Sequence, residues 1–72
     1  MTNQTLLRRK IDESGYKLRF VASQAGLTYQ GFLYKVKGVH DFTAPEICKI
    51  SELLKLTLEE KEQIFFADNV SK

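Results

Sequence analysis

The chain has 72 residues, of which 43% are hydrophobic and 28% are charged. A chain of this length forms one domain over residues 1–72, with a small core and little room for an enclosed catalytic pocket. The composition is that of a folded globular protein, and no apolar run approaches the roughly 20 residues that a transmembrane helix needs. The one cysteine, Cys48, cannot form an internal disulfide, and the N-terminus lacks a signal-peptide pattern, so we expect a cytoplasmic protein.

Charge is distributed unevenly along the sequence. The net charge is +2, but residues 1–40 carry seven basic and two acidic residues, whereas residues 41–72 carry four basic and seven acidic ones. No acidic residue occurs between Ser14 and His40. A segment without carboxylates is suited to a surface that approaches phosphate groups.

Helical periodicity dominates the sequence and strand alternation is weak, which predicts an all-α domain of five short helices. The first helix is predicted over about 4–13, with Thr2 or Asn3 as its N-cap. Leu7 and Ile11 lie one turn apart and are expected to face the core. The Ser-Gly pair that follows the helix is expected to end it.

The second and third helices are predicted over about 18–25 and about 29–37. The second has a continuous apolar face of residues spaced by three or four, namely Leu18, Val21, Ala22 and Ala25. Thr28 is a suitable N-cap for the third helix. Phe32 and Val36 lie one turn apart and are predicted to be core residues, with Tyr29 or Leu33 beside them.

The fourth helix has the clearest start signal in the chain. Thr43 and Glu46 have the spacing of a capping box, in which each side chain bonds the other residue's backbone N–H. Phe42 and Ile47 can form the hydrophobic staple around this cap. The inward stripe is predicted to contain Ile47, Ile50, Ser51 and Leu54.

A second capping box, Thr57 with Glu60, predicts a fifth helix over about 58–66. We expect its inward-facing residues to be Leu58 and Phe65, with a further contribution from Ile64 or Phe66. The tail from Asp68 to Lys72 is expected to be frayed.

About three residues, Gly26-Leu27-Thr28, join the second and third helices, and this spacing is typical of a helix-turn-helix. The stretch from Leu18 to Phe32 (Leu-Arg-Phe-Val-Ala-Ser-Gln-Ala-Gly-Leu-Thr-Tyr-Gln-Gly-Phe) resembles the helix-turn-helix of the lambda and 434 repressor and Cro superfamily, also called the XRE family. The resemblance continues through Lys37-Gly38 and both capping boxes and covers about residues 5–67. It looks closest to small Cro-like and modulator-of-repression proteins of phages and mobile elements in Gram-positive bacteria.

The resemblance implies a repressor-like, helix-turn-helix transcription regulator that binds a double-stranded DNA operator, with the motif over about 18–37. Its recognition helix, about 28–37, would enter the major groove. Residues at the positions that read bases in the family are Thr28, Tyr29, Gln30 and Tyr34, and the Gln30 amide can pair with adenine N6 and N7. Residues expected to hold the DNA backbone are Lys35, Lys37 and Arg19.

Two departures from the family pattern keep a second function open. Leu18 stands where the family often has glutamine, and the loop 38–41 lacks the usual lysines and arginines. The third helix is also rather apolar, as protein-binding surfaces often are. The alternative is a protein-binding modulator, similar to an antirepressor or an antitoxin. It would bind a partner repressor through Leu33, Tyr34, Gln30 and Val39. A homodimer would have to use the fifth helix or the tail, with Ile64, Phe65 and Phe66 as candidates.

The residue inventory predicts that the protein is not an enzyme. The one histidine and the one cysteine lie apart in the sequence, and there is no glycine-rich phosphate loop and no pair of metal-ligand motifs. We therefore expect no catalytic residues, no metal, no cofactor, no small-molecule substrate and no membrane partner.

Overall fold

The first helix, α1, spans Gln4–Ser14, and it begins directly after Asn3 because the Asn3 side chain accepts a hydrogen bond from the Leu6 N–H at 3.1 Å. The computed structural model describes residues 2–66, and within them four more α-helices and no strand follow: α2 Leu18–Gln24, α3 Tyr29–Val36, α4 Ala44–Leu54 and α5 Leu58–Phe65. The all-α, five-helix domain predicted from the sequence is thus confirmed for this part of the chain. In the four helices for which a range was predicted, the first residue agrees and the last residue differs by one.

Both predicted capping boxes are formed. The Thr43 hydroxyl accepts from the Glu46 N–H at 3.4 Å, and the Glu46 carboxylate accepts from the Thr43 N–H at 2.9 Å. The Thr57 and Glu60 pair repeats the arrangement at 3.0 Å and 2.9 Å. Each pair satisfies two backbone donors that would otherwise lack a partner, so α4 and α5 begin where the sequence predicts.

The core contains side chains from all five helices. Helix α2 packs on α3 and α4, while α1 packs on α4 and α5. Three aromatic rings run through the core, because Phe42 lies 6.0 Å from Phe32 and 5.4 Å from Phe65 between ring centroids, edge to face in both cases. The buried hydrophobic residues are Leu7, Ile11, Val21, Ala22, Ala25, Phe32, Val36, Phe42, Ile47, Ile50, Ile64 and Phe65.

The prediction that Leu58 faces the core is wrong, since this side chain is 72% exposed. Helix α5 is held by its later residues: Ile64 and Phe65 are buried, and the Ile64 carbonyl accepts from the Asn3 N–H at 2.7 Å. Leu58 is the first residue of α5, directly after the Thr57 cap, and its side chain points into solvent rather than toward the core.

Other expectations at this end of the chain also change. Ile64 and Phe65 are buried within one copy and are therefore not available for a dimer contact, whereas Phe66 is 39% exposed. The tail from Asp68 to Lys72 lies outside the described residues. Among the helices that the structure describes, none is long and apolar enough to cross a membrane.

A lysine–glutamate pair joins the two ends of the fold. Lys10 on α1 donates to the Glu60 carboxylate on α5, so the glutamate that caps α5 also ties it to α1. The hydrogen bond from Lys10 is the main reason that the pKa of Glu60 lies below its ordinary value, and the same bond raises the pKa of Lys10. Both groups are consequently charged at neutral pH.

Candidate nucleic-acid interface

Helices α2 and α3 are joined by a tight turn over residues 25–28. Gly26 adopts a left-handed conformation with φ +79°, which favours glycine. The Leu27 N–H then donates to the Ala22 carbonyl at 2.9 Å, closing the end of α2, and the Leu27 side chain packs against the core. The short turn and the contact between α2 and α3 are consistent with a helix-turn-helix.

Two buried residues fix the rotation of α3. Phe32 and Val36 are both 0% exposed, so the opposite face of the helix points away from the core. That face carries Gln30, Tyr34 and Lys37, which are exposed and spaced by four and three residues. We call these three residues the α3 stripe.

The start of α3 is held by Thr28, as predicted. Its hydroxyl oxygen accepts from the Gly31 N–H at 3.0 Å. A Cβ added at Gly31 would lie 3.0 Å from that oxygen, so the glycine leaves room for the cap. The Thr28 hydroxyl keeps its own hydrogen for a further acceptor such as a phosphate.

Arg19 and Tyr29 lie together at the start of α2 and α3. The Arg19 guanidinium carbon is 4.2 Å from the centre of the Tyr29 ring, a cation–π contact. Tyr29 is half-buried, and the arginine stacks on its ring. The contact places a permanent positive charge beside the first residue of α3.

Lys35, predicted to hold the DNA backbone, is paired within the chain. Its ammonium is 2.6 Å from Oε1 of Glu46, and the two side chains are 16% and 15% exposed. Lys35 turns toward α4, whereas Lys37 remains exposed. No sequence pattern indicated this partner, because the two residues lie on different helices. The phosphate contact expected of Lys35 stays a prediction.

Glu46 carries a full negative charge at neutral pH. Burial raises its pKa, but the hydrogen bonds from Lys35 and Thr43 outweigh burial, and the net pKa lies below its ordinary value. The same oxygen, Oε1, accepts from both Lys35 and the Thr43 backbone. The carboxylate is thus held in place by the capping box as well as by the lysine.

A basic depression that sequence reasoning missed lies next to the Arg19–Tyr29 pair. It is an open hollow of about 430 Å³. Its residues come from α1, the α1–α2 turn, α2 and α3, namely Arg8, Ile11, Asp12, Tyr16, Lys17, Leu18, Arg19 and Tyr29. Three of the eight are cations and one is an acid. The acid-free stretch from residue 14 was the available signal for Lys17, but only the packing of α1 brings Arg8 to the same place.

The residues predicted to bind a partner protein are spread along α3 and the turn after it, with Gln30 in the first turn of the helix and the other three near its end. Tyr34 is 41% exposed and its ring lies 6.2 Å from that of His40, edge to face. Val39 is 62% exposed and is held by a hydrogen bond from its N–H to the Tyr34 carbonyl at 2.9 Å. Leu33 is half-buried. Tyr34 thus belongs both to the α3 stripe and to a small aromatic and apolar surface.

Within residues 2–66, no group of three or more His, Cys, Asp or Glu residues could hold a metal ion. Cys48 is exposed, and its Sγ lies 3.7 Å from a Glu52 carboxylate oxygen. No protein-family model, curated protein or solved structure matches the chain.

Proposed function

We propose that this protein is a sequence-specific DNA-binding regulator of the Cro and repressor type, acting in the cytoplasm, with α3 in the major groove. Gln30 reads a base, Tyr34 contacts a neighbouring base, and Lys37 holds a backbone phosphate. Arg19 and the basic depression hold phosphates on the other side of the groove. The protein binds paired half-sites as a homodimer, in which Phe66 is the exposed apolar contact.

The observation that carries the proposal is the α3 stripe. A helix must present side chains away from the core to reach base edges, and Gln30, Tyr34 and Lys37 are the exposed residues opposite Phe32 and Val36. The stripe lies within the segment from Ser14 to His40, which has no carboxylate to repel phosphates.

The test is a selection of binding sites from random duplexes, followed by affinity measurements on the selected site and on single-base variants. Gln30→Ala is expected to reduce discrimination at one base position by about 1–3 kcal/mol, because it removes a bidentate amide. Gln24→Ala, at the exposed end of α2, is the matched control and should leave discrimination unchanged. Failure to select any site at low salt would refute the proposal.

Phosphate contact by Lys37 is tested separately by salt dependence. Lys37→Ala should weaken binding to every duplex and reduce the slope of log affinity against log salt by about 0.9. Lys49→Ala, an exposed lysine on α4, makes the same change in net charge away from α3. Equal effects of the two variants would show that only total charge matters.

A protein-binding modulator is the second candidate function, and the exposed surface of Tyr34, Val39 and His40 favours it. An aromatic side chain flanked by apolar groups is the type of residue that dominates protein interfaces. On this hypothesis Tyr34→Ala and Leu33→Ala abolish binding to a partner repressor, and Gln30→Ala has a smaller effect. A salt-tolerant complex with that repressor, together with no DNA binding at low salt, would select this function over the first.

A further inference from the structure

Lys35 and Lys37 are two residues apart on α3, but their surroundings differ. Lys37 ends the helix and is exposed, whereas the Lys35 ammonium bonds the Glu46 carboxylate at 2.6 Å. Side chains two positions apart on an α-helix point in nearly opposite directions. Lys37 therefore faces solvent, whereas Lys35 faces α4. The charge that α3 offers to a phosphate therefore depends on whether Lys35 leaves Glu46.

The Glu46 carboxylate has a second hydrogen-bond donor besides Lys35. It accepts from the Thr43 N–H at 2.9 Å as part of the capping box that starts α4. Lys35, in contrast, has a flexible four-carbon side chain whose ammonium can turn to a different acceptor. A phosphate near the end of α3 would thus compete with a fixed carboxylate for a movable cation.

We propose that Glu46 is a positioning residue that limits DNA affinity by competing with backbone phosphates for the Lys35 ammonium. The inference rests on the proposed function. Exchange of one anionic partner for another yields little net free energy, so Lys35 contributes little to DNA binding while Glu46 is present. Glu46 also places a negative charge beside the phosphate that Lys35 would hold.

The decisive variant is Glu46→Gln. Glutamine also serves in capping boxes and can accept the Thr43 N–H, so α4 keeps its start while the negative charge is lost. Lys35 is then free to bind a phosphate. We expect affinity for a mixed-sequence duplex about two helical turns long to rise about fivefold at about 50 mM salt, and the salt slope to steepen by about 0.9.

The matched control is Glu60→Gln. Glu60 is also the third residue of a capping box and is also paired with a lysine, but that pair joins α1 to α5. The substitution makes the same change in net charge and in helix capping without touching α3. It should leave the salt slope unchanged and raise affinity only by the small amount expected from total charge.

A double variant identifies the residue through which Glu46 acts. Lys35→Ala combined with Glu46→Gln should show no gain over Lys35→Ala alone, since the freed ammonium is the source of the gain. Thermal melting of each variant confirms that it is folded at the temperature of the binding assay.

Three results would overturn the inference while leaving the proposed function intact: DNA binding by the unmodified protein with no change in Glu46→Gln, an equal change in Glu60→Gln, or a gain that persists without Lys35. Absence of DNA binding in both the unmodified protein and Glu46→Gln would overturn both proposals. Binding by Glu46→Gln alone would support the competition and show that the carboxylate blocks binding in the unmodified chain.

Discussion

Replacement of Phe32 by alanine tests the packing that orients α3. Phe32 is 0% exposed, and its ring meets that of Phe42, which in turn meets Phe65. The substitution removes the first member of this row of rings and leaves a cavity beside Phe42. A buried phenylalanine replaced by alanine costs about 3–5 kcal/mol, since transfer free energy and cavity formation add.

That loss is comparable to the whole stability of a domain this size. At about 0.05–0.15 kcal/mol per residue, 72 residues give about 4–11 kcal/mol. Phe32→Ala should therefore be largely unfolded if the protein is at the lower end of this range, and should lose roughly a quarter to a half of its stability at the upper end. Phe32→Leu retains most of the apolar volume and should cost less.

The assay is urea unfolding followed by helical circular dichroism, with the free energy obtained by linear extrapolation. Phe20→Ala is the matched control, because Phe20 is 42% exposed on α2 and should change stability by about 1 kcal/mol or less. A Phe32→Ala protein as stable as Phe20→Ala would refute the reasoning, since the rotation of α3, and with it the α3 stripe, would then be different.

Three further predictions concern helix starts, the packing of α5 and acid. Thr43→Ala should lower the free energy of unfolding by about 1 kcal/mol, measured by urea unfolding, and an unchanged midpoint would mean that α4 does not depend on its cap. Ile64→Ala should cost about 2–5 kcal/mol, whereas Leu58→Ala should stay within about 0.5 kcal/mol, and equal losses would contradict the exposure of Leu58. Glu46 and Glu60 have pKa values below the ordinary value of 4.5, so at acid pH the unfolded chain binds more protons than the folded one. The stability that the two carboxylates contribute is present above pH 4.5, and it is lost as the pH falls through their folded-state pKa values. The melting temperature should thus decrease as the pH is lowered below about 4.5, and it should decrease less in a Glu46→Gln, Glu60→Gln double variant.

Local signals predicted most of the fold because each of them acts within a few residues. The hydroxyls of Thr43 and Thr57 each accept a hydrogen bond from the backbone N–H three residues later. Both partners of each cap therefore lie within four consecutive residues, where a sequence motif can show them. Phe32 and Val36 define the inner face of α3 by their spacing. The exposed side of α3 opposite them follows from the helix period. The choice of Gln30 and Tyr34 as base readers came from the family resemblance.

Long-range packing accounts for what the sequence did not show. Leu58 and Phe65 have the spacing of one helix face, yet only the second is buried, because α5 is covered along part of its length. Periodicity gives the direction in which a side chain points from its helix axis but not how far the neighbouring helix extends. The basic depression was missed for the same reason, since Arg8 reaches Lys17 only through the packing of α1.

The same limitation determines which lysines of α3 are available for function. Lys35 and Lys37 look equivalent in sequence, both lying near the end of a helix in an acid-free segment. Lys35 precedes the buried Val36 and faces α4, where the Glu46 carboxylate meets it, while Lys37 lies on the exposed side. The sequence shows two equal positive charges. In the structure, however, the Lys37 ammonium is exposed, whereas the Lys35 ammonium is already paired with the Glu46 carboxylate. The charge that α3 presents at the surface is therefore set by which basic residues the fold pairs internally, and that pairing depends on Glu46, a capping residue of the next helix.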